Sequence, residues 1–274
     1  MAYKRILTIQ DISCVGQCSM TVAMPILSAC GHETCILPTA VLSTHTGGFG
    51  KPTVVHFEDA LPDIWHHWER CGILFDAILV GYLGSIPAIE TTKNIMDTLL
   101  VPGGLRVVDP AMGDNGKLYA GFDEAYVGKM RELCRKADII LPNITEAALL
   151  SGNSYQEKVD HCYVNKLLDD LEESCVILTG VGFSDNLTGV VWKEGTDRQY
   201  FAHERIGHNY HGTGDIFAAC FTGSLLQDNS MADSIQISAE LTRKSIENTI
   251  KSSKHWYGVR FETVLPELMA RLGL

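Results

Sequence analysis

Residues 212–215 read Gly212-Thr213-Gly214-Asp215. They follow His208-Asn209-Tyr210-His211 and precede the apolar run Ile216-Phe217-Ala218-Ala219-Cys220-Phe221. A helix that starts here presents backbone N–H groups with no partner inside the helix, and its N-terminus favours anions. Glycines let a phosphate come close to the backbone. Asp215 adds a carboxylate that can take the proton of an attacking hydroxyl. An anion cradle of Gly212, Thr213 and Gly214 beside a base is the equipment for moving a phosphoryl group onto an alcohol. The structural alternative is an Asp-capped helix after a glycine turn.

Such a turn needs a scaffold, and the apolar spacing supplies one. Strands are predicted near 5–10, 34–39, 76–81, 105–109, 138–141, 175–179, 188–194 and 199–205. Helical periods fall at about 17–30, 58–71, 87–100, 122–136 and 157–173, and the stretch 211–272 reads as wholly helical after the glycine turn. Strands alternating with helices of this length predict an α/β fold with a mostly parallel sheet covered on both faces. The last two strands are separated by Gly195-Thr196-Asp197 and predict an antiparallel edge hairpin. No linker, repeat or charge block divides the chain, so residues 1–274 are expected to form one domain.

Composition narrows the function classes. The net charge of −11 argues against a nucleic-acid binder but leaves room for a phosphate held by local backbone dipoles. Nine cysteines without a Cys-x-x-Cys pair argue against a zinc site or a disulfide framework, and predict a cytoplasmic location. The first residues lack the apolar core of a secretion signal, and no run approaches the roughly 18 apolar residues of a membrane helix.

In open α/β sheets ligands bind beyond the carboxyl ends of the strands. After the first strand come Gln10, Asp11, Ser13, Gly16, Gln17, Cys18 and Ser19, small and polar residues that can line a ligand pocket or cap a plain turn. The second leads into Ser43-Thr44-His45-Thr46-Gly47-Gly48-Phe49-Gly50, a loop rich in hydroxyls and glycine that suits a lid. The third ends at Gly81-Tyr82. The fourth runs into Asp109-Pro110-Ala111-Met112-Gly113-Asp114, whose two carboxylates suit a hydrated Mg²⁺ or a monovalent cation. The fifth ends at Pro142-Asn143 with Glu146 three residues on. That spacing is a capping box, which it favours over metal binding. The sixth ends at Thr179-Gly180. Each group alone reads equally well as a turn or cap. Together they set Asp, Glu, Thr and Gly after six successive strands and beside the 212–215 turn.

These residues resemble the pyridoxal kinases of the ribokinase superfamily, over essentially all of the chain. The carriers are Thr8-Ile9-Gln10, Ser43-Thr44-His45-Thr46-Gly47, Gly81-Tyr82, Asp109 through Asp114, Pro142-Asn143 with Glu146, and Gly212 through Asp215. The resemblance implies a three-layer ribokinase-like sandwich, ATP with Mg²⁺, and phosphorylation of the hydroxymethyl group of a B6 vitamer. It assigns Asp215 as the base and the 212–214 amides as the anion hole. Asp109, Asp114 and Glu146 would surround the metal and phosphates. Asp109, Asn143, Thr179, Gly180, Gly212 and Gly214 would meet ATP, with Thr179 also near a K⁺ site. Asp11, Cys18, Thr46 and Tyr82 would touch the pyridine ring, and Tyr119 would sit on a flap between the two ligands. Homodimers are common in the family.

Two positions depart from the pattern. Asp11 stands where pyridoxal kinases usually carry serine, and resembles the hydroxymethylpyrimidine kinases of thiamine synthesis. Leu141 stands where threonine is common, which bears on the monovalent cation. The alternatives are therefore a hydroxymethylpyrimidine or sugar kinase, and a non-catalytic nucleotide-binding regulator on the same scaffold. A dinucleotide-binding dehydrogenase fits poorly, because Asp11-Ile12-Ser13-Cys14-Val15-Gly16 lacks the glycine fingerprint.

Overall fold

The computed structural model describes residues 3–173, 175–194, 196–207, 210–251 and 255–274. His208, Asn209 and Gly195, used above to read the glycine turn and the hairpin, lie outside these residues. The strands are β1 (Arg5–Ser13), β2 (Glu33–Leu42), β3 (Val54–His56), β4 (Phe75–Val80), β5 (Leu100–Val108), β6 (Gly113–Asp114), β7 (Lys117–Leu118), β8 (Ile139–Ile140), β9 (Cys175–Thr179), β10 (Leu187–Glu194) and β11 (Asp197–Glu204). The helices are α1 (Met20–Ala29), α2 (Leu61–Arg70), α3 (Ile86–Thr98), α4 (Glu124–Cys134), α5 (Ile144–Ser151), α6 (His161–Asp170), α7 (Thr213–Leu225), α8 (Met231–Ile250) and α9 (Leu265–Arg271).

The main sheet has the order β11-β10-β9-β8-β5-β4-β1-β2-β3. Its centre is parallel, from β2 through β1, β4, β5 and β8 to β9. The expected hairpin closes one edge, with β10 antiparallel to both β9 and β11. The short strand β3 makes the other edge antiparallel as well, pairing Val41 with Val55. Period-two alternation divides the strand residues between two cores. Leu7, Ile9, Ile78, Val80 and Leu178 face α2 to α6. Ile6, Ala77, Leu79, Val107 and Ile177 face α1, α7, α8 and α9. The result is a sheet between two helical layers, as the patterning predicts for a parallel sheet buried on both sides.

The stretch 211–272 is not wholly helical. It breaks into α7, α8 and α9. Asp228 adopts a positive φ of 62°, and Ser230 caps the new helix by accepting a hydrogen bond from the Asp233 amide at 3.1 Å. Turn and cap residues there outweigh the helical period on either side. Residues 255–258 run outside any helix, and Pro266 suits only the first turn of α9. Two further elements carry too few residues to show a period: β3, and the hairpin β6–β7, whose strands pair Gly113 with Leu118.

Chain direction places the site. From β1 the chain passes through α1 to β2 on one side, and later returns to β4 on the other. Between β1 and β4 the strand order therefore reverses, and a crevice opens beyond their carboxyl ends.

Candidate active site

A recess at that crevice is lined by Gln10 near the carboxyl end of β1, Gly81 after β4, Asp109 after β5, and Asp215 in the first turn of α7. Residues 10 and 215 are far apart in sequence and meet because α7 packs against β4 and α1. Gln10 is held by its amide donating to Thr8 Oγ1 at 2.7 Å.

Gly212 is the residue before α7 and adopts a left-handed conformation with φ 83°. A Cβ there would overlap the carbonyl oxygen of Gln17. Only glycine meets both demands. The first main-chain bond of the helix runs from the Ile216 amide to the Gly212 carbonyl at 3.0 Å. The amides of Thr213, Gly214 and Asp215 therefore have no acceptor four residues back in the helix. The Thr213 hydroxyl donates to the Tyr210 carbonyl at 3.4 Å.

Around this turn the carboxylates gather. The Asp215 carboxyl accepts from the Ser19 backbone, yet burial pushes it up to about 6, and the neighbouring Asp11 adds to the rise. Asp11 is 4% exposed. It accepts from the Ser13 hydroxyl at 3.2 Å, and burial raises its pKa against the help of Ser19 and Ser13. Asp109 is raised well above the carboxylate range by burial, then by Glu146 and Asp215. No hydrogen-bond donor reaches its carboxylate among the described residues. Burial lifts the Cys18 thiol to about 12, with Asp215 contributing. The Tyr82 hydroxyl is raised by burial and then by Asp11, and that of Tyr119 by burial and then by Glu146 and Asp109. Asp11, Cys18, Tyr82, Asp109, Tyr119, Glu146 and Asp215 thus share one electrostatic neighbourhood, and each charge they feel from one another is negative. Such a site is poised for a cation or a metal-bound phosphate.

Glu146 fulfils the capping-box expectation. Asn143 caps α5 by accepting from the Glu146 amide at 3.0 Å, while Glu146 accepts from the Asn143 amide at 2.9 Å. The other Glu146 oxygen accepts from the Met112 amide at 3.2 Å. The Asn143 side-chain Nδ2 donates to the Gly113 carbonyl at 2.9 Å. These bonds strap the 109–114 turn to α5 and engage both ends of the Asn143 side chain within the protein. Burial raises the Glu146 pKa in spite of its amide donors. Asp114 is exposed at the flap hairpin, where Asn115 donates to both of its oxygens at 2.8 and 3.0 Å.

The remaining expected residues lie further out. Thr179 ends β9 beside Asn143, its amide donating to the Pro142 carbonyl at 2.9 Å. Gly180 follows it in the turn toward Val181. Tyr119 is 40% exposed just after the flap strand β7. Thr46 is exposed in the 43–50 loop.

Among the described residues no three His, Cys, Asp or Glu side chains converge to hold a metal by themselves. The donors do fit Mg²⁺, which commonly takes one or two carboxylates and completes its shell with water and substrate phosphates. Asp109 is the half-buried carboxylate free for that purpose.

Gln10, Ser13 and Ser19 are among the polar residues expected to line a pocket around the end of β1: Gln10 lines the recess, Ser13 holds Asp11, and Ser19, with φ 52°, holds Asp215. One contributor escaped the sequence reading: Trp256 packs its ring 4.6 Å from Phe49 of the 43–50 loop. Nothing local in the sequence signals a contact across two hundred residues.

A family model described as phosphomethylpyrimidine kinase matches residues 70–260. The chain is similar to the crystal structure of pyridoxal kinase from Lactobacillus plantarum, with 34% identity, 98% of each chain covered and a TM-score of 0.91. It is also similar to a Bacteroides thetaiotaomicron protein described as a phosphomethylpyrimidine kinase and crystallised with pyridoxal. That match has 33% identity, covers 100% of this chain and 96% of the other, and has a TM-score of 0.88. The pyridoxal kinase of Arabidopsis thaliana is 26% identical over 255 residues, 90% of this chain and 81% of the relative. The chain belongs to the phosphomethylpyrimidine kinase family and, within the ribokinase superfamily, groups with the pyridoxal kinases.

Proposed function

We propose that this protein transfers the γ-phosphoryl group of ATP to the 5′-hydroxymethyl group of a B6 vitamer (pyridoxal, pyridoxamine or pyridoxine), a salvage step toward pyridoxal 5′-phosphate. The observation that carries the reading is the placement of Asp215. Its carboxylate shares the recess at the strand-order reversal with Asp109, in the first turn of a helix whose leading amides have no acceptor within the helix.

Asp215 accepts the hydroxyl proton as the vitamer oxygen attacks the γ-phosphorus in line. With a pKa near 6 it is mostly ionised at about pH 7.5 and close enough to it to exchange a proton readily. The amides of Thr213 and Gly214 meet the charge of the transferring group. Asp109 would hold Mg²⁺, with Glu146 and Asp114 around it through water. When bound, the ion neutralises phosphate charge. Asn143, Thr179 and Gly180 border the nucleotide side, and Thr179 offers a hydroxyl toward a K⁺ ion. Asp11, Cys18, Thr46 and Tyr82 border the pyridine, with Tyr119 between the ligands.

Purified protein given ATP, Mg²⁺ and each vitamer in turn tests the reading. Formation of the 5′-phosphate supports it, and ATP binding without transfer to any vitamer would favour a regulator instead. Asp11 and the family model favour a second reading, hydroxymethylpyrimidine phosphorylation, which a competition between pyridoxamine and hydroxymethylpyrimidine decides. Replacing K⁺ by choline in the same assay tests the monovalent cation.

We also propose that residues 1–274 act as one kinase unit, in the cytoplasm and as a homodimer. Both cores pack on one sheet. All nine cysteines are free, as a reducing compartment allows. No helix among the described residues is long and apolar enough to cross a membrane.

A further inference from the structure

Three aromatic rings form a column behind the recess. Tyr126, in α4, is 3% exposed and fixed in the core. Phe122 stacks on it at 3.7 Å between centroids and 7° between planes. Tyr82, at the carboxyl end of β4, stacks on Phe122 at 5.5 Å and 29°. Tyr82 in turn feels Asp11, so its hydroxyl end belongs to the acidic pocket.

Phe122 also belongs to the flap. Its amide donates to the Tyr119 carbonyl at 3.2 Å, and the Tyr119 amide donates to the Met112 carbonyl at 2.9 Å. The flap hairpin is tied to α5 at its tip by the Gly116 amide donating to Thr145 Oγ1 at 2.9 Å. One residue past Phe122, Asp123 caps α4. Phe122 is therefore the joint between a hairpin strapped to Met112 and α5 and a tyrosine beside Asp11. Ring stacking is directional, so a shift of Phe122 is felt by Tyr82.

We propose that Phe122 is a positioning residue that couples the flap to the vitamer ring. Where the flap settles over nucleotide fixes Phe122, and Phe122 fixes the Tyr82 ring beside which the pyridine lies. This role rests on the B6-kinase reading and adds to it an energetic link between the two substrates. Such a link is reciprocal for binding.

Calorimetry of pyridoxamine binding with and without saturating ADP measures the link. In the unmodified protein ADP should tighten pyridoxamine by at least about fivefold, within the usual span of coupling between sites. Phe122→Leu should bring that factor to within about twofold of unity and raise the pyridoxamine KM about three- to tenfold, as expected for a lost ring stack. By reciprocity the KM for ATP at saturating pyridoxamine should rise by a similar factor, while ADP binding to the vitamer-free protein should stay within about twofold. Phe122→Tyr keeps the stack and should keep the coupling. A merely structural Phe122 would shift the melting temperature and leave the coupling factor alone, and that result overturns the proposal. If Phe122→Leu does not fold, deuterium exchange on the unmodified protein decides: pyridoxamine alone should slow exchange at 117–123, and unchanged exchange there overturns the proposal. Failure of the unmodified protein to phosphorylate any vitamer would count against the underlying reading, whereas turnover with intact coupling in Phe122→Leu counts against Phe122 alone.

Discussion

Gly212 lies against the carbonyl oxygen of Gln17 so closely that a Cβ would overlap it, and does so at a φ of 83°. The start of α7 is thereby pressed onto the turn after β1, which carries Ser19 and, through it, holds Asp215. The anion cradle and the base are built by one contact. Gly212→Ala should strain the backbone by roughly 1–3 kcal/mol and displace the cradle. Thermal unfolding should show a lower midpoint, and kcat/KM should fall by about two orders of magnitude, the scale for losing an oxyanion-type donor. Native values for both would mean that the close approach is dispensable.

Asp215→Asn should lower kcat by at least about a hundredfold, the range for loss of a general base. Stability should move the other way. The folded-state pKa of Asp215 is raised to about 6 from 3.8, so its ionised form is disfavoured in the fold. The cost is absent below about pH 4, where the group is protonated in both states, and is complete above about pH 6. The asparagine variant should therefore melt no lower than the unmodified protein at about pH 8, with the difference vanishing toward acid. Near-normal turnover would remove Asp215 from the base role.

The same raised pKa sets an acid limb. Only ionised Asp215 accepts a proton, so kcat/KM should fall about tenfold per pH unit once the pH drops well below about 6. A limb near 4 would mean that a bound cation overrides burial, and would point to Asp109 as the group that brings it.

Much of this site was legible because its chemistry sits at strand ends. Alternating apolar residues located β1, β4 and β9, and with them Asp11, Tyr82 and Thr179. The Asn143–Glu146 capping box was legible from spacing alone, because both partners belong to one helix turn. The Phe122–Tyr82 stack and the Trp256 contact were not, since each joins segments brought together only by the tertiary fold. The helical period past residue 211 misled because it persists on both sides of 226–230, while three turn-forming residues in the gap decide the backbone. The metal role of Glu146 looks different once its two oxygens are seen to accept the Asn143 and Met112 amides.

Asp109 has no donor at its carboxylate among the described residues and is raised by burial and then by Glu146 and Asp215, so a cation is its natural partner. Asp109→Ala should raise the Mg²⁺ concentration for half-maximal rate by at least about tenfold, on the scale of lost outer-sphere or direct metal contacts, with a smaller effect on vitamer KM. An unchanged Mg²⁺ dependence would overturn the assignment. Glu146→Ala removes an acceptor for two buried amides and should cost about 1–3 kcal/mol, read as a lower melting temperature.

The 43–50 loop is held from outside the sheet. The Gly47 amide donates to His45 Nδ1 at 2.9 Å, so His45 Nε2 donates to the Tyr257 carbonyl at 3.0 Å. Phe49 packs on Trp256, and a Cβ at Gly48 would run into the Trp256 ring. Trp256 is still 51% exposed, so its ring serves the loop more than the core. The loop carries Thr46, and the behaviour expected of it is that of a lid with an external clasp. Trp256→Ala should raise vitamer KM about three- to tenfold, in line with loss of one aromatic pair, and leave the KM for ATP and the melting temperature nearly unchanged. Deuterium exchange at 43–50 should quicken in the variant and slow again when vitamer binds. Equal exchange in both proteins, with and without vitamer, would mean that the loop is a fixed wall of the pocket and that Trp256 does not govern its closure.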